Sequence, residues 1–340
     1  MAYITFEHID QYYGSQHVLK DLNLSVEKGA FVTLLGPSGC GKSTLLRCLA
    51  GLEPVSHGRI LLDGEDITHK APRVRHVGMI FQQYSLFPTM TVAGNIAFGL
   101  KIQGVCRSEI AERVREVLEI VDLKGSEKKY PSQLSGGEQQ RVALCRSLVT
   151  KPKVLLMDEP FSAIDAKLRK ELQTRIKEIH EQLGMTTLFV THDQDEAMTM
   201  SDTIHLMHNG IIEQSASPME LYAQPKTPFA ASFMGNYNIL SAQEYLQLTG
   251  EPAESDSVCI RPELITMSGV PLSPDADSFV AKGIVAQRIP QGNTILYWIQ
   301  IGDLRLKCYL LFDRHTQVLF ETGEEVWLRI YRQDLLTYSY

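Results

Sequence analysis

No apolar stretch in this 340-residue chain approaches the roughly 20 residues that a bilayer-spanning helix needs. The first residues, Met1-Ala2-Tyr3-Ile4-Thr5-Phe6-Glu7, lack the basic opening and long apolar segment of a secretory signal. Both absences point to a cytosolic chain that would reach a membrane only through partners. The six cysteines, at 40, 48, 106, 145, 259 and 308, include no C-x-x-C pair, so neither a zinc site nor a disulfide framework is indicated. A basic excess is missing too. With 33 Lys+Arg against 40 Asp+Glu the formal charge is −7, which argues against a broad nucleic-acid-binding surface. The length leaves room for two domains.

Against these absences one stretch stands out: Gly36-Pro37-Ser38-Gly39-Cys40-Gly41-Lys42-Ser43-Thr44. It follows the apolar run Phe31 to Leu35 and precedes the helix-patterned Leu45 to Ala50. Strand, glycine-rich loop and helix are the context in which G-x-x-x-x-G-K-[ST] denotes a phosphate cradle. Glycines let successive amide N–H groups turn inward, and the helix adds the positive end of its dipole. Lys42 can reach the terminal phosphates, and the Ser43 hydroxyl is placed for magnesium. Cys40 falls among the phosphate-facing amides, a setting that favours the thiolate, unless the thiol folds under the loop.

Residues 1–35 read as short strands with turns at Tyr13-Gly14-Ser15 and Glu27-Lys28-Gly29. Tyr12 and Tyr13 serve either strand packing or a stacking surface for a base. Turn-rich segments follow around Gly58 and Asp63-Gly64, then a strand from Val77 that ends in Gln82-Gln83. Residues 91–150 are mostly helical, with Ile110, Val114, Val117, Leu118 and Val121 at helical spacing and Gly125 as a stop. Leu134-Ser135-Gly136-Gly137-Glu138 opens a further helix, as a capped turn or as exposed amides for an anion.

Val154 to Met157 is a fully apolar strand of the buried parallel kind, ending in Asp158-Glu159-Pro160. Carboxylates at such a strand end sit where open α/β sheets bind ligands. After a phosphate loop, the Asp is the magnesium-holding position, and Glu159 can act as a base towards water. Leu168, Leu172, Ile176, Ile179 and Leu183 then make one apolar stripe closed by Gly184. Thr186 to Val190 forms a strand that delivers Thr191-His192-Asp193 to the same edge. From about residue 236 the helix–strand alternation stops, and short strands at Val258–Pro262, Thr294–Gln300, Leu304–Leu310 and Val326–Ile330 predict a small all-β second domain.

Together these segments resemble the ATPase subunit of ATP-binding-cassette transporters over residues 1 to about 235. The β tail, with Ile260-Arg261-Pro262-Glu263, is similar to the OB-like (TOBE) domain of importer ATPases for maltose-type sugars, polyamines, ferric iron or phosphonates. The fold class implied is an α/β P-loop NTPase core (residues 1–235) with a helical subdomain at about 88–150. An all-β OB-like regulatory domain follows (residues 236–340). The resemblance implies that Tyr13 stacks on adenine and that Gly36, Pro37, Ser38, Gly39, Cys40, Gly41, Lys42, Ser43 and Thr44 bind ATP. It gives Ser43, Gln82 and Asp158 to Mg2+, water activation to Glu159, and the γ-phosphate to His192. Ser135, Gly136 and Gly137 would bind the ATP held by a second copy of the chain. Ser162-Ala163-Ile164-Asp165 would communicate between the two sites, and Ser85 to Pro88 would meet a transmembrane permease subunit. The system implied is a head-to-tail homodimer on the cytoplasmic face of the membrane, working with permeases and a solute-binding protein and without nucleic acid.

Two residues depart from the family pattern, Glu138 where glutamine is commoner and Ile164 where leucine is usual. Rival ATPase classes fit less well. A DNA-repair ATPase would separate Lys42 from Ser135 by a long coiled coil, a translation factor would usually carry two phosphate loops, and an ATP-binding scaffold would lack Glu159 or His192. An exporter would often carry its own membrane spans.

Overall fold

Alternating apolar and polar residues at Ala2–Tyr13 (β1) and Gln16–Glu27 (β2) suit half-buried strands, and the Gly14-Ser15 turn joins them as an antiparallel pair. Each is twelve residues long, longer than the short strands the sequence predicts, and register shifts along the pair let it bend. The computed structural model that gives these elements describes residues 2–82, 86–162, 164, 166–312 and 319–339, without the side chain of Leu168.

Next come β3 (Phe31–Leu35), with all five residues buried, and α1 (Lys42–Ala50). His57–Leu62 (β4) and Glu65–Asp66 (β5) complete an antiparallel sheet in the order β2-β1-β4-β5. Gly58, expected in a turn, lies inside β4. A Cβ there would come within 2.2 Å of the His8 carbonyl, so the strand crossing needs glycine. Val77–Ile80 (β6) is followed by three helices, α2 (Val92–Ile102), α3 (Arg107–Ile120) and α4 (Gly136–Leu148). In α3 the spacing of Ile110, Val114, Val117 and Leu118 places all four on the buried side.

The rest of the first unit alternates strand and helix: β7 (Val154–Asp158), α5 (Ala166–Leu183), β8 (Thr186–Thr191), α6 (Gln194–Met200), β9 (Thr203–His208), β10 (Ile211–Ala216) and α7 (Pro218–Ala223). Leu172, Ile176 and Ile179 of the α5 stripe are buried, whereas Leu183, at the helix end before Gly184, is 49% exposed. The second sheet has the order β10-β9-β3-β8-β7-β6, parallel throughout except for β10. Parallel strands covered on both faces need continuous apolar runs, and Val154 to Met157 are fully buried. Leu156→Ala in such a strand costs about 2–5 kcal/mol. This order fixes the site. The carboxyl ends of four neighbouring strands, β3, β8, β7 and β6, lie along one edge.

The chain divides into two compact units, Met1–Leu221 and Tyr222–Tyr340. The second begins ahead of the boundary expected at 236, where helix–strand alternation stops in the sequence, and takes in α8 (Pro228–Gly235). It continues with β11 (Asn238–Ser241), α9 (Ala242–Thr249), β12 (Ser257–Ile260), β13 (Thr266–Ser268), β14 (Ser278–Gln291), β15 (Thr294–Ile301), β16 (Leu304–Leu311), β17 (Glu325–Tyr331) and β18 (Leu335–Tyr338). Two sheets result, β11-β12-β18 and β13-β17-β14-β15-β16, around a core that includes Tyr297, Leu306, Val326 and Leu328.

Arg261 ties the start of this unit to its sheets. Its guanidinium lies 4.4 Å from the Tyr222 ring centroid and 5.2 Å from that of Tyr237. It also donates to the Tyr222 carbonyl and the Tyr237 hydroxyl, while Tyr222 Oη donates to Glu263 Oε1 at 2.8 Å.

Candidate active site

The loop after β3 is shaped by its glycines. A Cβ on Gly36 would stand 2.2 Å from the Met207 carbonyl, and one on Gly41 2.7 Å from Leu19 Cδ2, with φ of +106° at Gly41. Gly41 is the N-cap of α1 and offers no side chain to the first helical N–H groups, which stay open to an anion. Arg75 braces the other end of α1. Buried to 3% exposure, it donates to the carbonyls of Cys48 and Leu49 at 2.7 and 3.0 Å. Lys42 is 4% exposed, and its Nζ donates to the carbonyls of Gly36 (2.7 Å) and Pro37 (2.8 Å). A cavity of about 190 Å3 opens over this loop, lined by Ser38, Gly39, Gly41, Lys42, Ser43 and Thr44, with Glu159 reaching in from another strand.

The parallel register supplies the opposite wall. Leu35 lies beside Thr191, and Asp158 beside Val190, so the phosphate loop, the His192 turn and the Asp158-Glu159 pair leave the sheet together. Ser43 Oγ donates to Asp158 Oδ1 at 2.6 Å across 115 residues of sequence. Glu159 takes a left-handed backbone with φ of +44°, pinned by its N–H on the Val190 carbonyl at 3.0 Å. A non-glycine residue held this way stores strain of about 1–3 kcal/mol, and such residues gather at active sites. The Glu159 carboxylate sits between two groups from neighbouring strands. Gln82 Nε2 donates to its Oε2 at 3.3 Å, and His192 Nδ1 stands 3.3 Å from its Oε1.

The Ser135 turn stands apart from this cluster, and neither it nor Gly136 and Gly137 line the phosphate-loop cavity. Ser135 caps α4 through a reciprocal box: Glu138 N donates to Ser135 Oγ at 3.3 Å, and Glu138 Oε2 accepts from Ser135 N at 2.8 Å. Ser135 Oγ also donates to that oxygen at 2.9 Å. The charge of Glu138 is therefore turned back onto its own helix start. The Ser135 N–H, and then its hydroxyl, hold that carboxyl below the usual glutamate range.

Geometry bears on two sequence expectations. Cys40 is 5% exposed and folds under the loop; burial pushes its thiol up, more than the nearby Lys42 charge brings it down. The reactive-thiolate expectation is thereby corrected. Iodoacetamide at neutral pH is expected to label exposed Cys106, whose thiol is lowered by the Ser108 hydroxyl, and to leave Cys40 unmodified in peptide mass spectra. Early labelling of Cys40 would overturn this. The two tyrosines are equally exposed, at 41% and 42%, but Tyr12 is stacked on His17, ring centroids 4.1 Å apart, while Tyr13 has no ring partner among the described residues. Ser85, Ala163 and Asp165 lie outside the described residues. Ile164 is buried in the core beside α5, where an apolar side chain is required.

Some well-placed residues carry no local signal in the sequence. Asn95 is fully buried and holds the Phe87 segment, accepting from Phe87 N at 2.7 Å and donating to the Phe87 and Met90 carbonyls at 3.1 Å. Glu196, also buried, accepts from Thr191 Oγ1 at 2.6 Å, and burial raises its carboxyl.

The ABC transporter family model matches residues 19–162 and the TOBE domain model residues 258–337. The chain is 48% identical to the Fe(3+) ions import ATP-binding protein FbpC of Escherichia coli O157:H7, over 78% of this chain and 80% of that protein. It is 43% identical to the sulfate/thiosulfate import ATP-binding protein CysA of Thermosynechococcus vestitus, over 96% of each. Among solved structures it is similar to the dimeric, post-hydrolysis ATP-binding cassette MJ0796 bound to ADP and Pi. That match has a TM-score of 0.57 and 30% identity, and covers 63% of this chain and 98% of that one. With its phosphate loop, strand-end carboxylates and C-terminal β unit, the chain belongs to the ATP-binding-cassette transporters, as an ATP-hydrolysing subunit of the import type that carries a TOBE domain.

Proposed function

We propose that two copies of the chain pair head to tail and hydrolyse ATP at two shared sites to drive import of a small charged solute. The observation that carries this is the split of the site. Glu159, Gln82, His192 and the phosphate loop converge, whereas Ser135 to Gly137 lie elsewhere and need a partner's phosphate loop to face. In each site Lys42 and the amides of Gly36 to Thr44 hold the triphosphate, Tyr13 covers the adenine, and the γ-phosphate meets His192 and the partner's Ser135. Glu159, fixed by Gln82 and His192, orients the attacking water and draws its proton.

Ser43, Asp158 and Gln82 would hold magnesium. The 2.6 Å contact between the Ser43 hydroxyl and the Asp158 carboxylate places two hard oxygen donors together. Among the described residues no group of three or more His, Cys, Asp and Glu could hold a metal, which suits an ion that takes one or two carboxylates plus substrate phosphates. When bound, the ion supplies positive charge to the phosphate oxygens.

Among the described residues no helix is long and apolar enough to cross a membrane. The chain would attach at the cytoplasmic face through permease subunits that meet the segment around Phe87 and Pro88, with a solute-binding protein completing the system. Ferric iron, sulfate and a polyamine are the readings of the solute, from relatives 48%, 43% and 52% identical over 78%, 96% and 70% of this chain. The test of the shared site is an inter-chain cross-link between cysteines placed at Ser38 and Ser132. It is expected only with ATP and to be lost with Ser135→Arg, and a link indifferent to ATP would refute the shared site. The test of the solute is stimulation of hydrolysis in the reassembled transporter by a binding protein loaded with ferric iron, with sulfate or with spermidine.

A further inference from the structure

The α5 side chain Arg169 reaches two loops at once. Its Nη2 donates to the Ile164 carbonyl at 3.1 Å, and its Nη1 donates to Asp193 Oδ2 at 3.2 Å, with Glu196 Oε1 at 3.8 Å from the same nitrogen. The two carboxylates belong to a closed circuit around His192. Asp193 caps α6 by accepting from Glu196 N at 3.1 Å, Asp193 N donates to Thr191 Oγ1 at 3.0 Å, and Thr191 Oγ1 donates to Glu196 Oε2 at 2.6 Å. The residues on both sides of His192 are thus clamped, and Arg169 is the member of the clamp that also holds the segment after Glu159. Glu159, Ser162, Arg169 and the His192 turn line one small cavity of about 80 Å3. The Nε of Arg169 is buried without a partner among the described residues. The guanidinium forgoes that bond while its two terminal nitrogens span the gap between loops.

We infer that Arg169 is a positioning residue for hydrolysis, transmitting the placement of Ile164 to the His192 turn and so to the Glu159–His192 contact. Its partners are the Ile164 carbonyl and the carboxylates beside His192, and it acts through His192. A planar two-armed guanidinium can hold a carbonyl and a carboxylate in fixed relation, which a lysine ammonium at the same place cannot. The inference rests on the reading of Glu159 and His192 given above.

The experiment is a double-mutant cycle on the full chain, with ATP hydrolysis and equilibrium ATP binding measured separately. Arg169→Gln is expected to lower turnover about tenfold while ATP affinity stays within about twofold. Arg169→Lys keeps the charge and most of the stem, and is expected to remain as slow as Arg169→Gln. In a His192→Ala background, Arg169→Gln is expected to cost less than about twofold more, because residues that act as a unit are not additive. Wild-type turnover in Arg169→Lys would overturn the inference by reducing Arg169 to a charge, and a full tenfold loss in the His192→Ala background would overturn it by showing an independent effect. Since Arg169→Lys retains the packing of the stem, it decides the matter even if Arg169→Gln proves unstable. Undiminished turnover in His192→Ala alone is a different failure. It would overturn the role of His192 in the site, and this inference with it.

Discussion

Glu159→Gln is expected to hydrolyse ATP at about one hundredth to one ten-thousandth of the wild-type rate, the range over which a positioned base contributes. The substitution is close to isosteric, and the surroundings explain why it should leave the site standing. Glu159 Oε2 accepts from Gln82 Nε2, and a glutamine oxygen can do the same. The glutamine NH2 would then face His192 Nδ1, which accepts a hydrogen bond in one neutral tautomer. What is lost is the basic charge. Lys42, Ser43 and the partner's Ser135 keep their phosphate contacts, so the variant should accumulate as an ATP-bound dimer that wild type holds only in passing. Size-exclusion chromatography with magnesium and ATP, alongside the Ser38–Ser132 cross-link, measures this. Near-normal turnover would refute the assignment of the base; lost turnover without an ATP-dependent link would remove support for the shared site.

Lys42→Ala should fail earlier, at binding. Of the three donors on the ammonium, two are on the carbonyls of Gly36 and Pro37 and the third faces Cys40 Sγ at 3.8 Å, a weak acceptor that a phosphate oxygen can replace while the loop itself stays braced. Truncation removes both functions together. Hydrogen bonds to a charged group are worth about 1.5–3 kcal/mol each, so ATP affinity should fall by at least tenfold and turnover should be undetectable. Equilibrium binding and hydrolysis assays on the same preparation check it. Wild-type hydrolysis in Lys42→Ala would sink the central reading of the loop.

The parts of this molecule that could be read from sequence are those whose cause is local. The phosphate loop needs its glycines at fixed offsets, β7 is legible because both its faces are covered, and the buried stripe of α5 repeats at helical spacing. β14 was not legible. The fourteen residues of Ser278–Gln291 are interrupted by Gly283 and Pro290 and carry Lys282, Gln287 and Arg288 among the apolar positions. Its pairing with β15 and β17, set by distant partners, outweighs the weak local preference. The helix α9 was missed although Ser241 and Glu244 form a capping box and Gly250 closes the helix, a signature that was open to reading. In the site, the motif residues could be named one by one, but not the bonds joining Ser43 to Asp158 or Glu159 to His192, because parallel register brings them together. Arg75, Asn95 and Arg169 announce nothing locally; their roles lie in which carbonyls happen to be within reach.

The stacking of Arg261 between Tyr222 and Tyr237 has a practical consequence for anyone dissecting the protein. Residue 236 marks where helix–strand alternation stops in the sequence, whereas Tyr222 marks where packing allegiance changes. Ala231 in α8 is fully buried beside Tyr237 and Cys259 of the β unit. A nucleotide-binding fragment ending at residue 235 would carry away an apolar helix cut off from its bed, and would leave Arg261 a buried-side cation without the Tyr222 ring and carbonyl that hold it. Severed after Leu221, each piece keeps its own wrapping. The place to separate the engine from its appendage is before Tyr222, inside a helix and fourteen residues upstream of the visible seam at 236.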